Sequence, residues 1–259
     1  MLRFLARKPK PAIPPGERIY AIGDIHGRLD LFETLLEDIR RDNAAREPAR
    51  TQILLLGDLI DRGPDSAGVV ALAMRPPDVA PIRALLGNHE AAMLAALDGD
   101  RDMLRIWLRN GGREALVSWG LSVSELDTMS DLALIKRAQT LIPREQRAWI
   151  ARCALSIQVG DYYFVHAGVR PGTPLARQKD EDRLWIRDAF LDSEADHGAI
   201  VVHGHSASPD VEELPNRIGI DTGAYATDRL TALGLDGAER WLLQTESRCK
   251  AGRNAARAS

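Results

Sequence analysis

Five short runs in this 259-residue sequence place metal-ligating side chains after an apolar stretch, most of them flanked by glycine. Asp24 and His26 fall in G-D-I-H-G, Asp58 in G-D-L-I-D-R-G, and Asn88 with His89 in G-N-H-E. His166 follows in V-H-A-G and His205 in H-G-H-S. Carboxylate, imidazole and carboxamide together suit borderline or hard divalent ions such as Mn, Fe or Zn. Two such ions about 3.5–4 Å apart need a bridge, and a single carboxylate can supply it. Asp58, from the central segment, is the candidate. Taken alone, each run has an ordinary explanation: an Asp after Gly often closes a turn, and a lone buried His is usually a satisfied core residue. Five together are hard to explain by turns alone.

The elements that must position these residues alternate. Residues 18–22 (RIYAI) predict a strand ended by Gly23-Asp24, and Leu31, Phe32, Leu35, Leu36 and Ile39 then recur at the spacing of an amphipathic helix over 29–43. A second strand at 52–56 ends at Gly57-Asp58, a helix follows Pro64, and a third strand at 82–86 ends at Gly87-Asn88. Strand, loop and helix thus repeat three times, which predicts β-α-β units. In open α/β sheets, ligands collect at the carboxyl ends of the strands. From about 89 to 152 the periodicity is helical only and reads as an insert packed on the sheet, with Trp107, Trp119 and Trp149 as core residues. The last third reads mostly as strands, at 155–159, 162–167, 200–203, 217–220, 230–235 and 240–245. Gly160-Asp161 and Asp236-Gly237 are the hairpin turns.

Composition bounds the function classes. With 45% hydrophobic residues the chain can bury a sizeable core, and a net charge of -3 provides no basic field for nucleic acid. No stretch approaches the roughly 20 apolar residues of a membrane span. Cys153 and Cys249 lack metal-binding spacing and are expected to be reduced thiols, with the cytoplasm as the compartment. A disordered lead-in is expected over 1–16, one folded domain over 17–246, and a disordered polar tail over 247–259. The basic start (MLRFLARKPK) offers Leu2, Phe4 and Leu5 interleaved with Arg3 and Arg7 for a weak lipid contact.

In combination the five runs resemble the phosphoprotein phosphatase family of calcineurin-like metallophosphoesterases, in particular its small bacterial and phage-type members. The likeness runs from about residue 18 to about 235, and W-L-R-N-G-G within the insert is similar to that branch. The resemblance implies an α/β fold, a β-sandwich flanked by helices in four layers, α/β/β/α, with a helical insert. It implies that Asp24, His26 and Asp58 hold a first metal, and that Asp58, Asn88, His166 and His205 hold a second. Mn is the first expectation for both, with Fe or Zn as alternatives. His89 matches the general acid and Asp61 the carboxylate that orients it. Arg62 matches a phosphate-binding arginine, and Arg187 in L-W-I-R-D a second one. The activity implied is hydrolysis of phosphoserine or phosphothreonine in proteins, by in-line attack of a metal-bridging hydroxide. Two cations and two arginines would neutralise phosphate charge, while His89 protonates the poor alkoxide leaving group.

Two other functions share parts of this pattern. Symmetrical dinucleoside tetraphosphate hydrolases carry a similar constellation, but tend to show G-N-H-D and lack a D-R-G with Asp61; Glu90 and Asp61 therefore lean toward a protein phosphatase. A catalytically dead scaffold on the same fold predicts lost ligands, and none is lost. Broader metallophosphoesterases often end in G-H-x-H, where this chain has Ala207. His203 would share a strand face with His205, either next to the ligands or packed in the core.

Overall fold

The structure, a computed structural model, describes residues 10–75, 78 and 80–245. The first half runs β1 (Glu17–Ile22), α1 (Leu29–Ala44), β2 (Arg50–Leu55), α2 (Ser66–Met74) and β3 (Ile82–Ala84). Six helices follow: α3 (Asn88–Leu97), α4 (Arg101–Trp107), α5 (Arg113–Ser118), α6 (Val123–Thr128), α7 (Asp131–Leu141) and α8 (Arg144–Ile150). The second half runs β4 (Ser156–Val159), β5 (Tyr162–Val165), α9 (Asp180–Trp185), α10 (Asp188–Leu191), β6 (Ile200–His203), β7 (Glu212–Glu213) and β8 (Arg217–Gly219). It closes with α11 (Ala224–Thr227), β9 (Thr231–Asp236) and β10 (Glu239–Gln244).

Alternation along the strands decides how these elements stack. In β1, Tyr20 and Ile22 join a cluster with Phe32, Leu35 and Val69 of the covering helices, while Ile19 and Ala21 face the opposite way. That second face meets Ile157, Phe164, Val202 and Ile218 of another sheet. The far side of the second sheet, Tyr163, Val165 and Val201, packs on Ile186 and Phe190. The result is helix, sheet, sheet, helix, the four-layer α/β order expected. One sheet has the order β10-β9-β1-β2-β3, with β1, β2 and β3 parallel; the other has β4-β5-β6-β8-β7, with β5, β6 and β8 parallel. The parallel strands of both sheets carry the five runs at their carboxyl ends.

The structure departs from the sequence reading in two places. The chain of the expected lead-in does not hang free at its end: Ile13 is buried between the sheets, Ile13 N donates to Gly237 O, and Ala12 O accepts from Asp161 N. An Ala-Ile pair between prolines carries no periodicity to betray this docking. In the last third each expected strand is present, but the connections hold the short helices α9, α10 and α11 and the short strand β7, which were not expected. Cys249, residues 1–9 and the expected tail at 247–259 lie outside the described residues. Among the described residues, no helix is long and apolar enough to cross a membrane.

Phe164 is fully buried in the cluster between the two sheets. Phe164→Ala should therefore lower unfolding free energy by about 3–5 kcal/mol in chemical denaturation. A loss below about 1 kcal/mol would contradict a shared inter-sheet core.

Candidate active site

Asp58 follows β2 in the left-handed region (φ +50°) and is 2% exposed. Its position is fixed from behind by Glu90, the second residue after Asn88 in the first turn of α3. The Glu90 carboxylate accepts N–H bonds from Asp58 (2.9 Å), Leu59 (2.8 Å), Ile60 (3.2 Å) and Gly87 (3.0 Å). One buried side chain thus gathers the loop after β2 onto the turn after β3. A Cβ on Gly87 would lie 2.2 Å from both the amide nitrogen and Oδ1 of Asp58, so only glycine allows this approach. Burial, with the Asp58 charge beside it, pushes the Glu90 carboxyl up to about 7, against the pull of its N–H donors.

Around Asp58 the histidines converge in two groups. His26, Asp58 and His89 form one, and Asp58, His166 and His205 the other; within each, one ligand atom per residue lies within 4.8 Å of the others. Asp58 Oδ2 is 3.6 Å from His26 Nε2 and 3.8 Å from His89 Nε2, and Oδ1 is 3.4 Å from His166 Nε2. Asn88 Oδ1 joins the second group, 2.9 Å from His166 Nε2 and 2.8 Å from His205 Nδ1. Backbone carbonyls select the tautomers: His26 Nδ1 donates to Ile60 O and His166 Nδ1 to Leu56 O, both at 2.9 Å. Each ring then turns its Nε2 lone pair toward Asp58, as a metal ligand must. Burial lowers His26 and His205 to about 3 and lowers His166 as well, which keeps these rings neutral. Burial would raise Asp58, but a positive charge on any of His166, His89, His26 or His205 would hold it below the ordinary carboxylate range. Clustered lone pairs around a buried anion fit divalent cations, and two groups sharing one carboxylate fit a pair of them.

Asp24, expected beside His26, lies outside both groups. Its carboxylate accepts from His205 N–H at 3.0 and 3.2 Å, and Gly204 packs so close that an added Cβ would sit 2.0 Å from Asp24 Oδ1. Burial raises the Asp24 carboxyl, and Asp221 beside it adds to the rise; Asp221 is itself pushed up to about 6, chiefly by burial. Two buried carboxyls in contact hold a proton or a cation between them. The sequence reading missed Asp221, although G-I-D-T-G repeats the signal of an Asp after an apolar strand end.

The remaining expected residues surround a cavity of about 110 Å³ whose lining includes Asp58, Arg62, Asn88, His89, Arg187 and His205. His89 Nδ1 is 2.6 Å from Asp61 Oδ2, and the Trp107 indole N–H donates to both oxygens of Asp61 at 2.9 and 3.0 Å. Trp107 was expected only as core; it also holds the carboxylate that holds His89. Burial pushes Asp61 up to about 6, opposed by the His89 bond. For His89, burial is outweighed by Asp58 and Asp61, and its pKa is raised. The Arg62 guanidinium bridges His26 Nε2 (3.0 Å) and His89 Nε2 (3.1 Å), placing positive charge where both lone pairs point. His89 can accept from Arg62 only while neutral, so its protonation and this contact exclude each other. Tyr225, also missed, stands edge-on to His26 with its ring 4.6 Å from the Arg62 guanidinium. His203 is packed edge-on against Phe190 and meets different neighbours from His205. The strand geometry ends before His205, whose φ is +63°.

Backbone strain maps onto the same place. Among the described residues, non-glycine positions with positive φ are His26, Asp58, Asp61, Arg62, His205 and Asp228, all but the last in the site. Such conformations are costly and persist where surrounding contacts enforce them.

A family model for calcineurin-like phosphoesterases matches residues 17–238. Among curated proteins, a symmetrical bis(5'-nucleosyl)-tetraphosphatase of Acidovorax sp. (strain JS42) is 32% identical over 157 residues, 59% of this chain and 44% of that protein. Serine/threonine-protein phosphatase 1 of Salmonella typhimurium is 31% identical over 223 residues, 82% of this chain and 89% of that protein. The chain thus spans less than half the length of the Acidovorax relative. A crystal structure named provisionally as a diadenosine tetraphosphatase superposes with a TM-score of 0.62 at 22% identity, covering 92% of this chain and 100% of that one, a likeness of fold.

The Glu90 clamp yields a direct test. Glu90→Ala strands four buried N–H donors, each costing about 1–3 kcal/mol. Unfolding free energy should fall steeply and bound divalent metal with it, whereas Glu90→Gln should retain part of both. Unchanged stability in Glu90→Ala would contradict the clamp.

Proposed function

The chain belongs to the calcineurin-like phosphoesterase family of hydrolases, and we propose that it removes phosphate from phosphoserine or phosphothreonine in proteins. Two divalent cations are assigned to the site, Mn first and Fe or Zn otherwise. His26, Asp58 and Asp24 would hold one, and Asp58, Asn88, His166 and His205 the other. When bound, such a pair neutralises phosphate oxygens and makes a water nucleophilic at neutral pH. Arg62 and Arg187 face the same cavity and offer paired N–H donors to a terminal phosphate. As Arg62 turns from His89 Nε2 to a phosphate oxygen, that nitrogen is released to carry a proton. Asp58 and Asp61 favour that protonated form.

The observation that carries this reading is the His89–Asp61–Trp107 chain. An oriented, proton-bearing imidazole matters most when the leaving group is poor. Serine and threonine alkoxides are poor leaving groups. Symmetrical cleavage of a dinucleoside tetraphosphate expels a nucleoside diphosphate, which needs far less help. That activity is nevertheless the second reading, because relatives carry both names and the cavity opens beside Arg62 onto a larger groove.

Two measurements test these assignments. His89→Asn should slow hydrolysis of a phosphoserine peptide by about 10²–10⁴-fold while metal content is retained, with a smaller loss on p-nitrophenyl phosphate. Equal losses on both esters would show that His89 only binds, and loss of metal would make it a ligand. The Mn-loaded protein should also show higher kcat/KM on phosphoserine or phosphothreonine peptides than on diadenosine tetraphosphate. A tenfold advantage for the dinucleotide, about 1.4 kcal/mol of transition-state preference, would reverse the order of the two readings.

A further inference from the structure

Arg105, Arg109 and Arg113 recur every fourth residue through α4, the wide turn at Leu108–Gly112 and the start of α5. The helix is broken between them, with Asn110 and Gly111 off helical geometry, yet all three side chains, with Arg62 and Tyr225, line one open groove of about 950 Å³ next to the 110 Å³ catalytic cavity. Glu114 is the acidic side chain in its lining. The opposite side of the same segment is anchored in the site: Trp107 donates to Asp61, and Arg62 N donates to Gly111 O at 3.3 Å. Gly111 sits at φ +110°, and a Cβ there would lie 2.4 Å from Arg62 N, so the turn docks directly on the phosphate-binding arginine. The distance from the scissile phosphate to the arginine row is therefore set by the same contacts that orient His89.

The row is able to receive an anion. Arg105 pairs with Asp102 and Asp131, and Arg113 with Asp127, on largely exposed side chains. Such pairs contribute little and exchange readily for a better-placed carboxylate. Arg109 has its Nε–H on Arg105 O at 3.1 Å and is exposed. We propose that this groove is a subsite for acidic residues flanking the phosphorylated serine or threonine, so that acidic phosphopeptides are the preferred substrates. The proposal rests on the protein-phosphatase reading above.

The test uses the Mn-loaded full chain and phosphoserine peptides with three Glu, three Ala or three Lys on the N-terminal or the C-terminal side. On one side at least, Glu-flanked peptide should exceed Ala-flanked peptide in kcat/KM by about tenfold. That ratio should shrink as ionic strength rises, because the Debye length falls from about 10 Å at 0.1 M to about 3 Å at 1 M. In the double variant R109E/R113E the preference should reverse toward the Lys-flanked peptide, a gain that misfolding cannot imitate. Equal values for Glu and Ala flanks on both sides, or a Glu preference that survives the double reversal, overturns the subsite and leaves the protein-phosphatase reading standing. Hydrolysis of diadenosine tetraphosphate with none of the peptides cleaved overturns that reading and this proposal with it.

Discussion

A carboxylate as deeply buried as Asp58 is tolerable only if its surroundings answer its charge. Here the His89 backbone N–H donates to Oδ1 at 3.1 Å, while the lone pairs of His26 and His89 face one oxygen and that of His166 the other, an arrangement that cations between them would complete. Every other feature of the site can be referred to that oxygen pair. The histidine tautomers are selected so that lone pairs face it, and Arg62 lies across two of those lone pairs as a positive charge. The parallel strands of the two sheets end where they must to bring β2, β5 and β6 together around it.

Holding Asp58 in place demands unusual backbone, and the structure concentrates its strain accordingly. Left-handed residues after β1, β2 and β6 turn the chain sharply at each strand end, and Glu90 binds the amides that the turn after β2 leaves unpaired. Helix α3 thereby contributes twice, through Asn88 and His89 toward the cavity and through Glu90 away from it. The insert contributes from the other direction. Trp107 of α4 fastens Asp61, and through Asp61 the imidazole of His89, so helices remote from the strand-end motifs still define the site's geometry.

Much of this was legible in the residues because strand ends and glycines are local signals. The apolar run, glycine and ligand recur at most of the site strands, and the expected ligand segments do meet in space. The four-layer order followed from a resemblance, and the alternation of Tyr20 and Ile22 against Ile19 and Ala21 gives its physical reason. What was not legible depends on contacts distant in sequence. Glu90 looked like a family marker, whereas its carboxylate organises backbone some thirty residues away. Trp107 looked like core, since nothing in a helical periodicity announces a hydrogen bond to Asp61, 46 residues distant. Asp221 and Tyr225 follow a short strand whose signal resembled an ordinary turn. Asp24 was grouped with His26 by the resemblance, and no local signal announced that its carboxylate also accepts from the His205 N–H and lies beside Asp221.

The central claim is that one side chain, Asp58, joins two cation-binding groups into a single hydrolytic site. Elemental analysis of purified protein and of Asp58→Asn, each equilibrated with Mn and then freed of excess, tests it most directly. The account predicts about two metal ions per wild-type chain, and a clear loss of metal in a variant that remains folded. Two tightly held ions in folded Asp58→Asn would contradict it.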